Sequence, residues 1–121
     1  MKIYLATKYL AKERLLAPRD QITKLGHNVV SRWLDEAADA DTHHEMYQAA
    51  IRDLEDIRKA DLLILDTFDE DYRAGREVEF GMALGLNREV WLVGPRRNIF
   101  HHLVPHFDSW PDVLDCLRED V

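Results

Sequence analysis

Several features are scarce or missing in this chain of 121 residues, and each absence removes a class of protein. Cys116 is the only cysteine, so neither an internal disulfide nor a cysteine-based zinc site can form. No apolar run approaches the roughly 18 residues that a membrane span needs. The first apolar segment, at residues 3–6, is too short for a signal peptide. Together these absences predict a soluble, cytoplasmic protein.

An excess of positive charge is also missing. The chain carries 16 Lys and Arg against 23 Asp and Glu, a formal net charge of -7. This balance disfavours a nucleic acid polymer or an anionic membrane as partner. Any phosphate group would have to be held by a local cluster of donors. The length indicates one domain, residues 1–121.

Strand and helix patterns alternate along the whole chain. Strands are predicted at residues 2–6, 27–31, 62–65 and 89–93, with a short fifth at 106–107. Helices are predicted at 10–25, 43–59, 75–87 and 111–117. Gly26 is expected to end the first helix, and Pro18 to kink it or mark its true start. The alternation predicts an α/β fold: a single-domain flavodoxin-like or Rossmann-like three-layer sandwich with a mostly parallel four- or five-stranded sheet.

The most informative segment is a buried strand, residues 61–66, followed by residues 75–83 with their carboxylates Glu77 and Glu79. Open α/β sheets bind ligands at the carboxyl ends of their strands. A carboxylate there is a candidate nucleophile for sugar chemistry. The same spacing is also typical of carboxylates that merely stabilise a helix N-terminus. In the first helical turn, Glu79 is expected to stay anionic near neutral pH.

Four segments in a fixed order resemble the nucleoside 2-deoxyribosyltransferase family, which also includes nucleotide N-glycoside hydrolases. They are Lys2-Ile3-Tyr4-Leu5-Ala6, Arg52-Asp53-Leu54, Gly75-Arg76-Glu77-Val78-Glu79-Phe80-Gly81-Met82-Ala83 and Phe100-His101-His102-Leu103. The similarity covers nearly the whole chain. It implies cleavage or transfer at the N-glycosidic bond of a (2-deoxy)ribonucleoside or its 5′-monophosphate. Base specificity, ribose against deoxyribose, and hydrolase against transferase stay open.

The resemblance also implies the catalytic residues. Glu79 matches the family's nucleophile, which would form a glycosyl-enzyme intermediate. Asp53 matches the aspartate that assists at the sugar or the leaving base. Tyr4 matches the first-strand tyrosine that hydrogen-bonds the nucleophile.

Two positions depart from the family pattern. Thr7-Lys8-Tyr9 follow the first strand where relatives usually have Gly or Ser, and Arg73 stands where they have Asp or Ser. Recognition of the sugar 5′ end therefore differs here. The candidate substrate-binding residues are Thr7, Trp33, Asp66, Arg73, Gly75, Arg76, His101 and His102.

No metal or cofactor is expected. Adjacent histidines, as in His43-His44 and His101-His102, point in different directions and do not chelate one ion naturally. Trp33 could stack on a base, lie at a subunit contact or pack in the core. The expected partners are a nucleoside or nucleotide and, for a transferase, a free base. Relatives of this type assemble from several subunits, so a homodimer or larger homo-oligomer is expected.

Two other functions compete with the enzyme. Asp66 at the end of the third strand suggests a receiver-like phospho-acceptor or a nucleotide sensor, although the first strand lacks the acidic pair that holds magnesium. A flavodoxin-type FMN carrier is disfavoured because Thr7-Lys8-Tyr9-Leu10 is a poor phosphate-binding loop.

Overall fold

A computed structural model describes residues 1–36, 42–70 and 75–119. Its centre is one sheet of parallel strands in the order β2-β1-β3-β4-β5. The strands are β1 (Lys2–Ala6), β2 (Asn28–Val29), β3 (Leu62–Asp66), β4 (Glu89–Val93) and β5 (His106–Phe107). This is the flavodoxin-like strand order, whose switch point lies between β1 and β3. The predicted fold class is confirmed.

Helices cover both faces of the sheet. They are α1 (Leu16–Lys24), α2 (His43–Lys59), α3 (Gly75–Gly85) and α4 (Trp110–Glu119). Helix α1 packs beside α4, and α2 packs beside α3. Short 3₁₀ helices cover Tyr9–Leu15, Arg32–Asp35 and Ile99–Leu103. No helix within the described residues is long and apolar enough to cross a membrane.

The central strand β3 is buried along its whole length, as a strand covered by helices on both faces must be. The predicted strand at 62–65 is therefore confirmed and extends by one residue to Asp66. Since β1, β3 and β4 are parallel, their carboxyl ends lie at one edge of the sheet. The segments that follow these strands meet there.

Strand β2 is shorter than the predicted 27–31 because side chains take over its hydrogen bonds. The Leu5 backbone N–H donates to Ser31 Oγ at 2.7 Å, and Trp33 Nε1 donates to the Leu5 carbonyl at 2.9 Å. These two bonds satisfy the edge of β1 without a third residue of β2.

The predicted first helix is divided into a 3₁₀ helix and α1, which begins at Leu16. Pro18 therefore lies in the first turn of α1. A backbone N–H there would have no acceptor within the helix, so proline, which lacks the N–H, is tolerated. Gly26, with φ +96°, follows the helix and its N–H donates to the Thr23 carbonyl at 3.0 Å. The prediction that Gly26 ends the helix is confirmed.

Helix α2 has the predicted bounds because its start is capped. Thr42 Oγ1 accepts a hydrogen bond from the Glu45 backbone N–H at 3.1 Å. Helix α3 ends two residues earlier than predicted, before Asn87, whose φ is +57°. A positive φ cannot continue a right-handed helix.

The turn after β4 needs a glycine. Gly94 has φ +112°, and a Cβ at that position would lie 2.8 Å from Thr67 Oγ1 and 3.1 Å from the Phe68 backbone nitrogen. Only glycine permits this approach of the β4 turn to the segment that follows β3.

Candidate active site

The site begins with a contact between β1 and α3. Tyr4 is fully buried on β1, and its hydroxyl donates a hydrogen bond to Glu79 Oε2 on α3. Glu79 itself is only partly buried. The residue is therefore partly open to solvent, whereas its carboxyl group is desolvated and held by Tyr4.

Asp53 on α2 is the second carboxyl group of this site. Its charge influences both Tyr4 and Glu79. Its Oδ1 atom is buried and lacks a hydrogen-bond partner among the described residues. A buried acceptor left without a donor is costly and usually awaits a proton, a water or a ligand.

Burial raises the pKa values of both acids. Burial, with a smaller contribution from the charge of Asp53, raises the pKa of Glu79 to about 8, although the Tyr4 hydrogen bond works in the opposite direction. Burial, then the charges of Glu36 and Asp56, raises the pKa of Asp53 to about 6. Burial and the neighbouring Glu79 and Asp53 also raise the pKa of Tyr4, which therefore remains a protonated donor.

The expectation that the helix dipole keeps Glu79 anionic at neutral pH is not met by these shifts. Helix α3 begins at Gly75, so Glu77 lies in the first turn and Glu79 follows it. The dipole effect fades beyond the first turn. Desolvation of Glu79 therefore dominates its ionisation.

Asp66 and Thr7 lie at the same edge but are engaged by the protein itself. Asp66 is fully buried, its Oδ1 accepts from the Phe68 N–H at 3.1 Å, and its Oδ2 accepts from Trp110 Nε1 at 2.9 Å. Arg14 lies 3.5 Å from the same Oδ2. Thr7 Oγ1 donates to the Asp66 carbonyl at 3.1 Å. These contacts hold β3, its following segment and α4 together.

Trp33 is placed by its bond to Leu5. Its side chain is 5% exposed, and its ring centroid lies 6.2 Å from that of Tyr9. Of the three interpretations of Trp33, this placement favours core packing over stacking on a base.

His101 is fully buried and connects the 3₁₀ helix Ile99–Leu103 to α3. Its Nδ1 accepts from the Arg97 backbone N–H at 2.9 Å, so Nε2 carries the proton of the neutral ring and donates to Glu77 at 2.9 Å. Arg97 Nε in turn donates to the Thr67 carbonyl at 3.1 Å. His101 thereby supports the start of α3 from the side.

The remaining candidate residues lie apart from Glu79 or at the start of α3. His102 is exposed and lines an open depression of about 550 Å³ with His106 and Arg96. Gly75 is the exposed first residue of α3, and Arg76 beside it is buried. Arg73 lies outside the described residues.

One pair of functional interest was not assigned a role by the sequence. Arg52, the neighbour of Asp53 in the chain, donates from its Nε to Glu36 Oε1 at 2.9 Å. Both charges act on the ionisation of Asp53, Glu36 raising and Arg52 lowering its pKa. The position of Arg52 next to Asp53 in the family-like segment was the available signal for this pair. No sequence feature pointed to Glu36.

Several solved structures share this fold, among them the three that follow. A 2-deoxyribosyltransferase from Bacillus psychrosaccharolyticus is 25% identical, with a TM-score of 0.78 over 95% of this chain and 91% of that chain. The CMP N-glycosidase BcmB from Clostridium botulinum is 17% identical, with a TM-score of 0.68 over 100% of both chains. A conserved protein from Enterococcus faecalis V583 is 16% identical, with a TM-score of 0.78 over 100% of this chain and 99% of that chain.

No protein-family model and no curated protein matches the chain. The similarity to the deoxyribosyltransferase structure nevertheless spans nearly all of both chains. The resemblance to the nucleoside 2-deoxyribosyltransferase family, first carried by four sequence segments, is therefore confirmed in three dimensions.

Proposed function

We propose that the protein is an enzyme that cleaves or transfers at the N-glycosidic bond of a (2-deoxy)ribonucleoside or its 5′-monophosphate. The observation that carries the proposal is the hydrogen bond from buried Tyr4 to Glu79, with Asp53 close enough to influence both. The fold is that of a 2-deoxyribosyltransferase and of a CMP N-glycosidase, whose reactions break this bond.

In this mechanism a carboxylate oxygen of Glu79 attacks C1′ of the sugar. The C1′–N bond breaks, and its electron pair leaves with the base. The anionic carboxylate also stabilises the positive charge that develops on the anomeric carbon and ring oxygen. This first displacement gives a covalent glycosyl ester with inverted configuration at C1′, and the second displacement breaks the ester and restores the original configuration.

The departing base needs a proton, and Asp53 is the group proposed to supply or direct it. Its raised pKa, about 6, keeps a protonated fraction near neutral pH. Tyr4 stays protonated and orients Glu79 throughout. Water attacking C1′ completes hydrolysis, whereas a second base attacking C1′ completes transfer, and either step releases Glu79.

We also propose that residues 1–121 act as one cytoplasmic domain within a homo-oligomer. Large apolar side chains on α2, α3 and the 3₁₀ helix Ile99–Leu103 are exposed in the single chain; they include Tyr47, Val78, Phe100 and Leu103. Burying such side chains is the usual driving force of subunit association. Sedimentation equilibrium measures the assembly, and a monomer at all concentrations would contradict it.

The receiver-like alternative has less support. Asp66 is fully buried and both carboxylate oxygens accept hydrogen bonds, so it presents no free oxygen to a phosphoryl donor. Acetyl phosphate is expected to leave Asp66 unlabelled.

The test of the proposed activity is a substrate panel. Purified protein is incubated with common nucleosides, 2′-deoxynucleosides and their 5′-monophosphates, with and without a second free base, and released base is separated by chromatography. A new nucleoside formed from the added base identifies a transferase, and free base alone a hydrolase. If the folded protein releases base from no member of the panel, the proposal is rejected.

A further inference from the structure

Arg76 is a buried cation at the start of α3. Its side chain is only 3% exposed, although arginine is rarely buried without a matched anion. Its NH1 donates to the Asp69 carbonyl at 3.0 Å. A neutral carbonyl accepts one of the five guanidinium hydrogens and cancels none of the charge.

The Nε side of the guanidinium is not satisfied. The Nε atom is buried and has no hydrogen-bond partner among the described residues. Among the described residues, the carboxylate that approaches Nε is Glu77, whose Oε1 lies 3.8 Å away, which is too far for a hydrogen bond. Both oxygens of Glu77 also accept from His101 Nε2 at 2.9 Å. A buried cationic donor in this state indicates an anion that the described residues do not supply.

The position of Arg76 relates that anion to Glu79. The two residues are three apart on α3, so they lie on one side of the helix about 4.5 Å apart along its axis. Helical side chains lean toward the N-terminus, which carries the guanidinium toward Asp69 and the carboxyl edge of the sheet. The helix N-terminus adds a partial positive charge at the same place.

We propose that Arg76 binds a phosphate monoester, the 5′-phosphate of the substrate, so that the preferred ligand is a nucleoside 5′-monophosphate. The proposal rests on the proposed function, because it assumes a sugar whose C1′ faces Glu79. The planar guanidinium fork matches a phosphate group in charge and geometry. Inorganic phosphate shares this chemistry, and the experiment separates the two sources.

Arg88 provides a matched control. Its Nε is likewise buried and has no hydrogen-bond partner in the described part of the chain, and its NH2 donates to the Arg58 carbonyl at 3.0 Å. Arg88 lies after α3, at the opposite end of the helix from Arg76, and its side chain is less enclosed. Arg88→Met therefore removes a similar arginine far from the proposed subsite.

Binding is measured by calorimetry on Glu79→Gln protein, which cannot turn over, with the four common 2′-deoxynucleosides, their 5′-monophosphates and inorganic phosphate. One monophosphate is expected to bind about 10- to 100-fold tighter than its nucleoside, the range for a charge-assisted contact. Adding Arg76→Met should abolish that difference, Arg76→Lys should reduce it, and Arg88→Met should preserve it. Equal binding of monophosphate and nucleoside would overturn the proposal, even if inorganic phosphate binds.

A second readout separates phosphate binding by Arg76 from a purely structural role. Phosphate should raise the Tm of the wild type and of Arg88→Met more than that of Arg76→Met. A lower Tm for Arg76→Met with no change in ligand preference would overturn the proposal. Monophosphate binding without base release by the wild type would refute the proposed enzyme activity and support the phosphate subsite. Base release without a preference for the monophosphate would support the enzyme activity and refute the subsite.

Discussion

Two polar clusters, one around Asp66 at the end of β3 and one around Glu79 on α3 and Asp53 on α2, differ in how well their carboxyl groups are satisfied. Asp66 is fully buried, and its oxygens accept hydrogen bonds from Phe68 and Trp110. Glu79 and Asp53 have raised pKa values, and Asp53 Oδ1 has no partner among the described residues.

Under the proposed function, this difference separates a cluster that stabilises the fold from one that carries out chemistry. A carboxylate surrounded by fixed donors is held in place and is poorly reactive. Carboxyl groups that are desolvated and incompletely bonded lower stability, and perturbed groups of this kind concentrate at functional sites. The predictions below test this division between Asp66 and the Glu79–Asp53 pair.

The largest expected effect is the loss of activity in Glu79→Gln. Glutamine keeps the size of the side chain and can still accept from Tyr4, but it cannot form the glycosyl ester. Base release should fall by at least about a thousandfold, a loss typical of removing a nucleophile. Asp115→Asn, at an exposed ion pair on α4, is the control and should keep full activity. Comparable rates for Glu79→Gln and the wild type would remove Glu79 from the mechanism.

The second prediction concerns the stability of the Asp66 cluster. Asp66→Ala leaves Trp110 Nε1 and the Phe68 N–H without their acceptor, so the free energy of unfolding should fall by about 3 kcal/mol. Urea denaturation monitored by tryptophan fluorescence measures this change. Asp115→Ala, which removes only an exposed ion pair, should change stability by less than about 0.5 kcal/mol. Equal effects of the two substitutions would contradict the role given to Asp66.

The third prediction is that the carboxylate of Glu79, unlike that of Asp66, lowers the free energy of unfolding. Its folded pKa, about 8, is raised above its unfolded value, so the folded state retains the proton longer and stability falls as pH rises from about 4.5 to 8. Glu79→Gln removes this dependence and should be more stable than the wild type by up to roughly 4 kcal/mol at pH 8. The two proteins should differ little near pH 4. Denaturation across this range measures the slope, and parallel curves would contradict the raised pKa.

The fold and the members of one cluster could be predicted from residue order. The strand and helix alternation indicated the parallel sheet, and the family-like segments predicted a site of Tyr4, Asp53 and Glu79, of which the structure shows the hydrogen bond from Tyr4 to Glu79. The roles of Asp66 and Trp33 could not be predicted, because their partners Trp110 and Leu5 are 44 and 28 residues away. Likewise, the short β2 depends on Ser31 and Trp33 replacing backbone hydrogen bonds, which no local pattern reveals.

The ionisation of Glu79 was the clearest error, and its cause is physical. A position in the sequence indicates proximity to a helix start, but desolvation depends on how tightly the folded chain encloses the side chain. The same limit applies to Arg76, because its burial and the lack of a hydrogen-bond partner for its Nε among the described residues become evident only when the neighbours of its guanidinium are known.

The smallest predicted effect lies in the pH dependence of catalysis. Productive attack requires ionised Glu79 and protonated Asp53, yet their pKa values are about 8 and about 6, the reverse of that order. Near pH 7 roughly one molecule in a hundred would carry both groups in the reactive form. The value of kcat/KM should be nearly constant between about pH 6 and 8. It should fall about tenfold per pH unit below about pH 6 and above about pH 8.

Asp53→Asn assigns the two limbs of this profile. Without a titrating donor, the residual rate should keep rising with pH until Glu79 is ionised, near pH 8 or slightly lower because the charge of Asp53 no longer raises the pKa of Glu79. The falling limb above pH 8 should disappear. Steady-state kinetics with a saturating and a limiting substrate concentration measure both forms of the profile. A falling limb that persists in Asp53→Asn would show that another group protonates the base, and Asp53 would then serve only to set the ionisation of Glu79.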